Sequence, residues 1–301
     1  MIHYLILAHD NLDQVELVAN KLKTNNSDIY VHLDKKIVNF KKIKNIKYIK
    51  NRQHIKWWWT KMLEAELIWL SEMFDNMNKW DHVVIISDQC LPIKKLWYIE
   101  NYIDNFGENS CIHYMEADKQ TLNRICKYYF FDIDFHFPKW CNRLLIKILS
   151  IFKKFDTKIR IPMINFIVSE IVSFILPQRT YLINRYTIYW WSSRMVLSYS
   201  HIEFLLNFIN SKWWKEVLKH FKYTANLDEV FFQTILVNNK KNEIINDCLW
   251  FTLRKKWSAS PKFLSINDLE AIKKSNKLFA RKFDITKDKE IVDRIDTLYG
   301  R

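Results

Sequence analysis

Asp228 and Glu229 stand side by side in TANLDEVFFQTIL, directly ahead of an aromatic apolar run, in a chain whose formal net charge is +14. Acids at such a place serve one of two ends. They cap a helix, with Asn226 or Asp228 accepting from the first free backbone N–H groups and the charge complementing the helix dipole. Or one of them is a carboxylate held to take a proton. Other groups bear on the choice. Arg281 and Lys282 sit together in LFARKFD, which on its own reads as a solvated basic pair. The chain has two glycines, Gly107 and Gly300, too few for a Walker loop or a dinucleotide fingerprint. A phosphorylated ligand would therefore be held largely by side-chain cations.

The elements that must position these residues alternate. HYLILAH reads as a buried strand, DNLDQVELVANKLKT as an amphipathic helix started by Asp10 or Asn11, and DIYVHLD as a second strand. WWTKMLEAELIWLSEMF reads as a helix, WDHVVIISD as a strand and CIHYMEA as a shorter one. Strands separated by helices imply an α/β fold with a mostly parallel sheet covered on both faces. Ligands in such sheets sit beyond the carboxyl ends of the strands, which brings His9, Asp34 and the turn SDQCLPIK to one edge.

With 301 residues, 49% of them hydrophobic, the chain can bury the core of one large domain carrying an insertion. Five cysteines without a CxxC pair, and an N-terminus that turns polar within ten residues, predict a cytoplasmic protein. The longest apolar stretch, INFIVSEIVSFILP, is broken by Glu170 and is too short to span a bilayer. NRLLIKILSIFKKFDTKIRI, residues 142–161, is a basic amphipathic segment that suits either a headgroup layer or the protein's own core. The expectation is a possible peripheral membrane contact on the inner face of the cell membrane. The lysines are dispersed without a recognition motif, so no nucleic acid is expected as a partner.

The blocks LAHDNLDQVELVANKL, IYVHLDKK, IKWWWTKMLEAEL, WDHVVIISDQCLPIK, YWWSSRMVLSYS, LDEVFFQTIL and SPKFLSINDLEAIKKSNKLFARKFD occur in that order from about residue 3 to 284. Their succession resembles the core-2/I-branching β-1,6-N-acetylglucosaminyltransferases, glycosyltransferase family 14. The resemblance leaves residues 130–180 unmatched, and these are taken as a variable insertion within a single domain spanning residues 1–301. It implies a GT-A-like fold and an inverting transfer from a UDP-sugar, N-acetylglucosamine foremost, to a hydroxyl of a glycan or lipid-linked glycan, in envelope or exopolysaccharide synthesis. It implies no metal and no other cofactor.

Carried onto this sequence, the resemblance makes Glu229 the catalytic base and Asp228 a substrate-side residue that orients its loop or caps the helix. It assigns His9 and Asp34 to the nucleotide pocket, and Lys282 with Arg281 to the diphosphate. The acceptor region corresponds to Glu116, Arg124 and Lys127, with Trp190 and Trp191 as candidate stacking surfaces. Three departures stand out. Trp58 and Trp59 replace a glycine-containing turn, Cys90 replaces an aspartate in SDQC, and a second diphosphate cation before SPKFL is replaced by Ala259, leaving Arg254 or Lys256 to substitute. Two rival readings remain. Asp132 and Asp134 form the only D-x-D, the pattern with which metal-dependent GT-A enzymes hold a divalent cation. The altered turn and the basic segment would also suit a non-catalytic membrane-surface adaptor.

Overall fold

Apolar runs bounded by polar stops set the frame. Ile2–Ala8 (β1) is buried along its whole length, as a strand packed on both faces must be. Asn11 then accepts from the Gln14 N–H at 3.0 Å and starts α1, Leu12–Leu22. There follow β2 (Ser27–Leu33), the short β3 (Lys47–Tyr48), α2 (Lys61–Phe74), β4 (His82–Ser87), β5 (Leu91–Pro92), α3 (Leu96–Asp104), β6 (Ser110–Glu116) and α4 (Lys119–Cys126). The second half holds β7 (Tyr189–Ser198), α5 (Tyr199–Ile209), α6 (Lys212–Phe221), a 3-10 turn (Leu227–Glu229), α7 (Phe231–Lys240), β8 (Ile244–Ile245), β9 (Trp250–Phe251), α8 (Leu269–Lys274), β10 (Phe279–Ala280) and α9 (Lys289–Tyr299). The computed structural model describes residues 1–8, 11–38, 40–54, 61–129, 170–224, 226–254, 258 and 260–300. The amphipathic segment 142–161 and the D-x-D pair lie outside them.

Seven strands form the main sheet in the order β3-β2-β1-β4-β7-β6-β8. β1 pairs in parallel with β2 and β4, while β7 runs antiparallel to β4 and β6. The expected α/β fold, a mostly parallel sheet flanked by helices, is what the chain adopts. Alternation along β1 feeds two cores. Ile2, Tyr4, Ile6 and Ala8 join one with Val15, Val18, Ile99 and Ile291, and Leu5 and Leu7 join the other with Leu63, Trp69, Phe231 and Phe232.

Two consequences matter for a site. β6 runs in the same direction as β4, so its end at Glu116 and the start of β7 at Tyr189 share the edge where β1, β2 and β4 finish. A second small sheet, β5-β10-β9, carries the segment after β10 to that edge. The Arg281 N–H donates to the Phe251 carbonyl at 3.0 Å, and the Phe283 N–H to the Gln89 carbonyl in the SDQC turn at 2.9 Å.

Candidate active site

The 3-10 turn sits between β7 and α2 and leads into α7, whose first two turns are buried. Asn226 enters it in the left-handed region, at φ 53°, a conformation Asn tolerates better than most residues. Its amide donates to Glu229 Oε2 at 3.4 Å. The capping expectation for Asn226 or Asp228 fails here. α7 begins at Phe231 behind Val230, with no side-chain cap, because the 3-10 turn separates the acids from the helix start.

Asp228 instead accepts a hydrogen bond from Ser193, and burial raises its pKa against the pull of Arg194. Glu229 is pushed up to about 7, first by burial and then by the Asp228 charge; Arg124, the Asn226 amide and Arg194 oppose the rise. A carboxyl poised there exchanges its proton near neutrality, the property a general base needs.

Arg194 is a group that the sequence reading missed. It is 3% exposed, in the middle of the buried half of β7, and donates to Ser193 Oγ at 2.9 Å. Beside it the ladder between β6 and β7 shifts register between Ile112 and Tyr114, an irregularity that re-aims side chains. The available signal was a lone arginine inside SSRMVLS: a buried guanidinium requires acidic partners. Glu66 is another such group, 1% exposed on α2 beside Asp228 and Arg194.

Arg281 and Lys282 form the basic side. Burial lowers Arg281 to about 10, with Arg194 and Arg254 adding to the effect while Cys90 and Glu229 oppose it. Lys282 is lowered to about 8 by burial, then by Arg281, Arg194 and Lys287, and its ammonium donates to Ser260 Oγ at 2.6 Å. Cations depressed by burial and by neighbouring cations are short of negative charge, and a diphosphate would supply it. The solvated-pair reading of ARKFD therefore does not describe Arg281. Arg254 acts on Arg281 from the surface, whereas Lys256 and Ala259 lie outside the described residues.

The other expected residues divide. Arg124 lies over the Trp190 ring at 5.6 Å and acts on Glu229, so these three come together. Trp191 is set edge-on to His113 at 5.2 Å, and Lys127 pairs with Glu170 beside a cavity of about 210 Å³. Glu116 stands exposed at the end of β6. Asp34 is buried at the end of β2, where its Oδ1 accepts from the Lys36 N–H at 2.9 Å and meets His54 Nδ1 at 3.2 Å. His9 lies outside the described residues. In the SDQC turn, Cys90 is fully buried with its sulfur 3.4 Å from Ser87 Oγ.

Among the described residues no helix is long and apolar enough to cross a membrane. No curated protein matches the chain. Residues 2–134, which hold β1 through α4 and the turn after β4, match the family described as Core-2/I-Branching enzyme. That match falls on the half of the sheet bearing the expected nucleotide edge, and over residues 2–134 the chain is similar to the Core-2/I-Branching enzymes, a family of glycosyltransferases.

Proposed function

We propose that this glycosyltransferase transfers a sugar from a UDP-sugar, N-acetylglucosamine by family resemblance, to a glycan hydroxyl with inversion and without a metal ion. The observation that carries the reading is the opposition of charges across one edge. Glu229 is a carboxyl poised near neutrality, and Arg281 and Lys282 are cations depressed by burial and by neighbouring cations, Arg194 among them.

Inverting transfer is one displacement. Glu229 takes the proton from the acceptor hydroxyl as that oxygen attacks the anomeric carbon, and the bond to the nucleoside diphosphate breaks on the opposite face. The electron pair leaves on the diphosphate oxygen, whose growing charge Arg281 and Lys282 stabilise in the role a divalent cation fills elsewhere. Arg124 and Trp190 border Glu229 and would hold the acceptor sugar, through hydrogen bonds and stacking respectively.

A panel of UDP-sugars tests the reading by thermal shift and by UDP release in the presence of EDTA. A stabilising, hydrolysed donor with chelator present is expected. Complete loss with EDTA, restored by Mn²⁺, would overturn the metal-free mechanism and return attention to Asp132 and Asp134.

A further inference from the structure

Glu66 has no part in the mechanism above, yet it is the costliest side chain near it. It is 1% exposed, and neither carboxyl oxygen has a hydrogen-bond partner among the described residues. An ionised carboxylate left in that state carries a heavy desolvation penalty, and a leucine or methionine would fill the same space without one. Two charged groups act on it: Asp228 from the 3-10 turn packed on α2, and Arg194 from β7. Nearby on α2, His32 of β2 stacks on Trp69 at 3.9 Å and is lowered to about 4, so it adds no charge at neutral pH. Beyond Asp228 come Glu229 and Arg124. The cluster is therefore three carboxyls, Glu66, Asp228 and Glu229, each acted on by the one buried guanidinium of Arg194.

Arg194 is the one cation that acts on both Glu66 and Asp228, since Arg124 and Arg281 reach Glu229, and one guanidinium cannot balance two ionised carboxylates. We propose that Glu66 is a positioning residue that works as a neutral acid, holding a proton behind Asp228 so that Arg194 balances Asp228 and Glu229 alone faces the acceptor as a base. Burial and the Asp228 charge both favour this state, because each raises the proton affinity of Glu66. Ionising Glu66 would add a second charge beside Asp228 and draw Arg194 away from the basic side, where it also acts on Arg281 and Lys282. The inference rests on Glu229 as base, so its tests include readouts that need no turnover.

The first readout is infrared spectroscopy of the protein at neutral pH. The wild type should show a protonated-carboxyl C=O band that is lost in Glu66→Gln, whereas an unchanged band would overturn the proposal. Stability gives the same answer by linkage. A carboxyl whose folded pKa is raised takes up a proton on folding, so wild-type stability falls as pH rises above the ordinary glutamate range. Glu66→Gln should remove part of that fall, and an identical pH dependence would contradict a protonated Glu66.

The second readout is the pH profile of UDP release from the UDP-sugar that the protein turns over. Glu66→Gln, which mimics the neutral acid, should keep wild-type turnover near neutral pH and extend it further into the alkaline range. Glu66→Leu, which can hold no proton and turn no polar atom towards Asp228, should lower kcat about tenfold with little change in KM. Wild-type profiles in both variants would show that Glu66 only fills space. Should Glu66→Leu fail to fold, the comparison of Glu66→Gln with wild type decides. If no UDP-sugar is turned over, the transferase reading fails, while the infrared band and the stability profile still decide the protonation of Glu66.

Discussion

Glu229 and Lys282 are brought within reach of neutrality from opposite sides by the same two causes, burial and a like-charged neighbour, and each leaves a signature. The base works only when ionised, so kcat/KM should rise with pH through an acid limb near 7, the value to which burial and Asp228 push Glu229. Replacing Asp228 by Asn removes the neighbouring charge and should move that limb to lower pH. The same shift affects stability. Between the ordinary value near 4.5 and about 7, the folded protein binds a proton at Glu229 that the unfolded chain does not, so stability falls as pH rises through that window. Thermal unfolding of Glu229→Gln should show a smaller fall over the same range. Lys282 runs the other way: it is charged below about 8, so UDP affinity measured by titration calorimetry should weaken as pH passes that value, and Lys282→Gln should flatten the dependence. At this scale the sequence showed which acids and cations to watch. It could not show Arg194 or Glu66, because their importance lies in burial beside Asp228, a relation between α2, β7 and a turn far apart in the chain.

At the scale of elements, the apolar runs and caps were readable where periodicity was strong. Asn11 caps α1 as expected, and β1, β2 and β4 lie within or beside the stretches HYLILAH, DIYVHLD and WDHVVIISD. The start of α7 was misread, since nothing local distinguishes a capping acid from one in a 3-10 turn held by tertiary packing. The antiparallel insertion of β7 between β4 and β6 was equally hidden, because it depends on long-range pairing. One element-level clamp holds the acceptor side. Arg179 donates to the carbonyls of Ile125 at 2.7 Å and Tyr223 at 3.1 Å, and also to those of Lys127 and His220, tying the end of α4 to the end of α6. Arg179→Ala removes the one donor these carbonyls share, although Tyr223 keeps the Tyr129 N–H and His220 the Thr224 hydroxyl, and should destabilise by on the order of 3 kcal/mol in denaturant unfolding. Because α4 carries Arg124, the loss should also raise the acceptor KM; an unchanged KM in the folded variant would uncouple the clamp from the site.

At the scale of the molecule, a net charge of +14 is spread over a chain in which acids and cations meet at one sheet edge. The excess charge predicts attraction to anionic surfaces, with an ionic-strength dependence that sets it apart from apolar insertion. Co-sedimentation with phosphatidylserine liposomes should be seen at low salt and lost as salt is raised; no binding at low salt would remove the membrane expectation. The sequence carried the fold class through the succession of strands and helices, and the family match covers residues 2–134, while the proposed base lies in the other half of the chain. Glu229→Gln therefore tests most directly whether the two halves build one active site. Transfer should fall by about 10²–10⁴, the usual worth of a general base, while UDP still raises the unfolding temperature as it does in wild type. Turnover equal to wild type in that variant would remove Glu229 from the reaction.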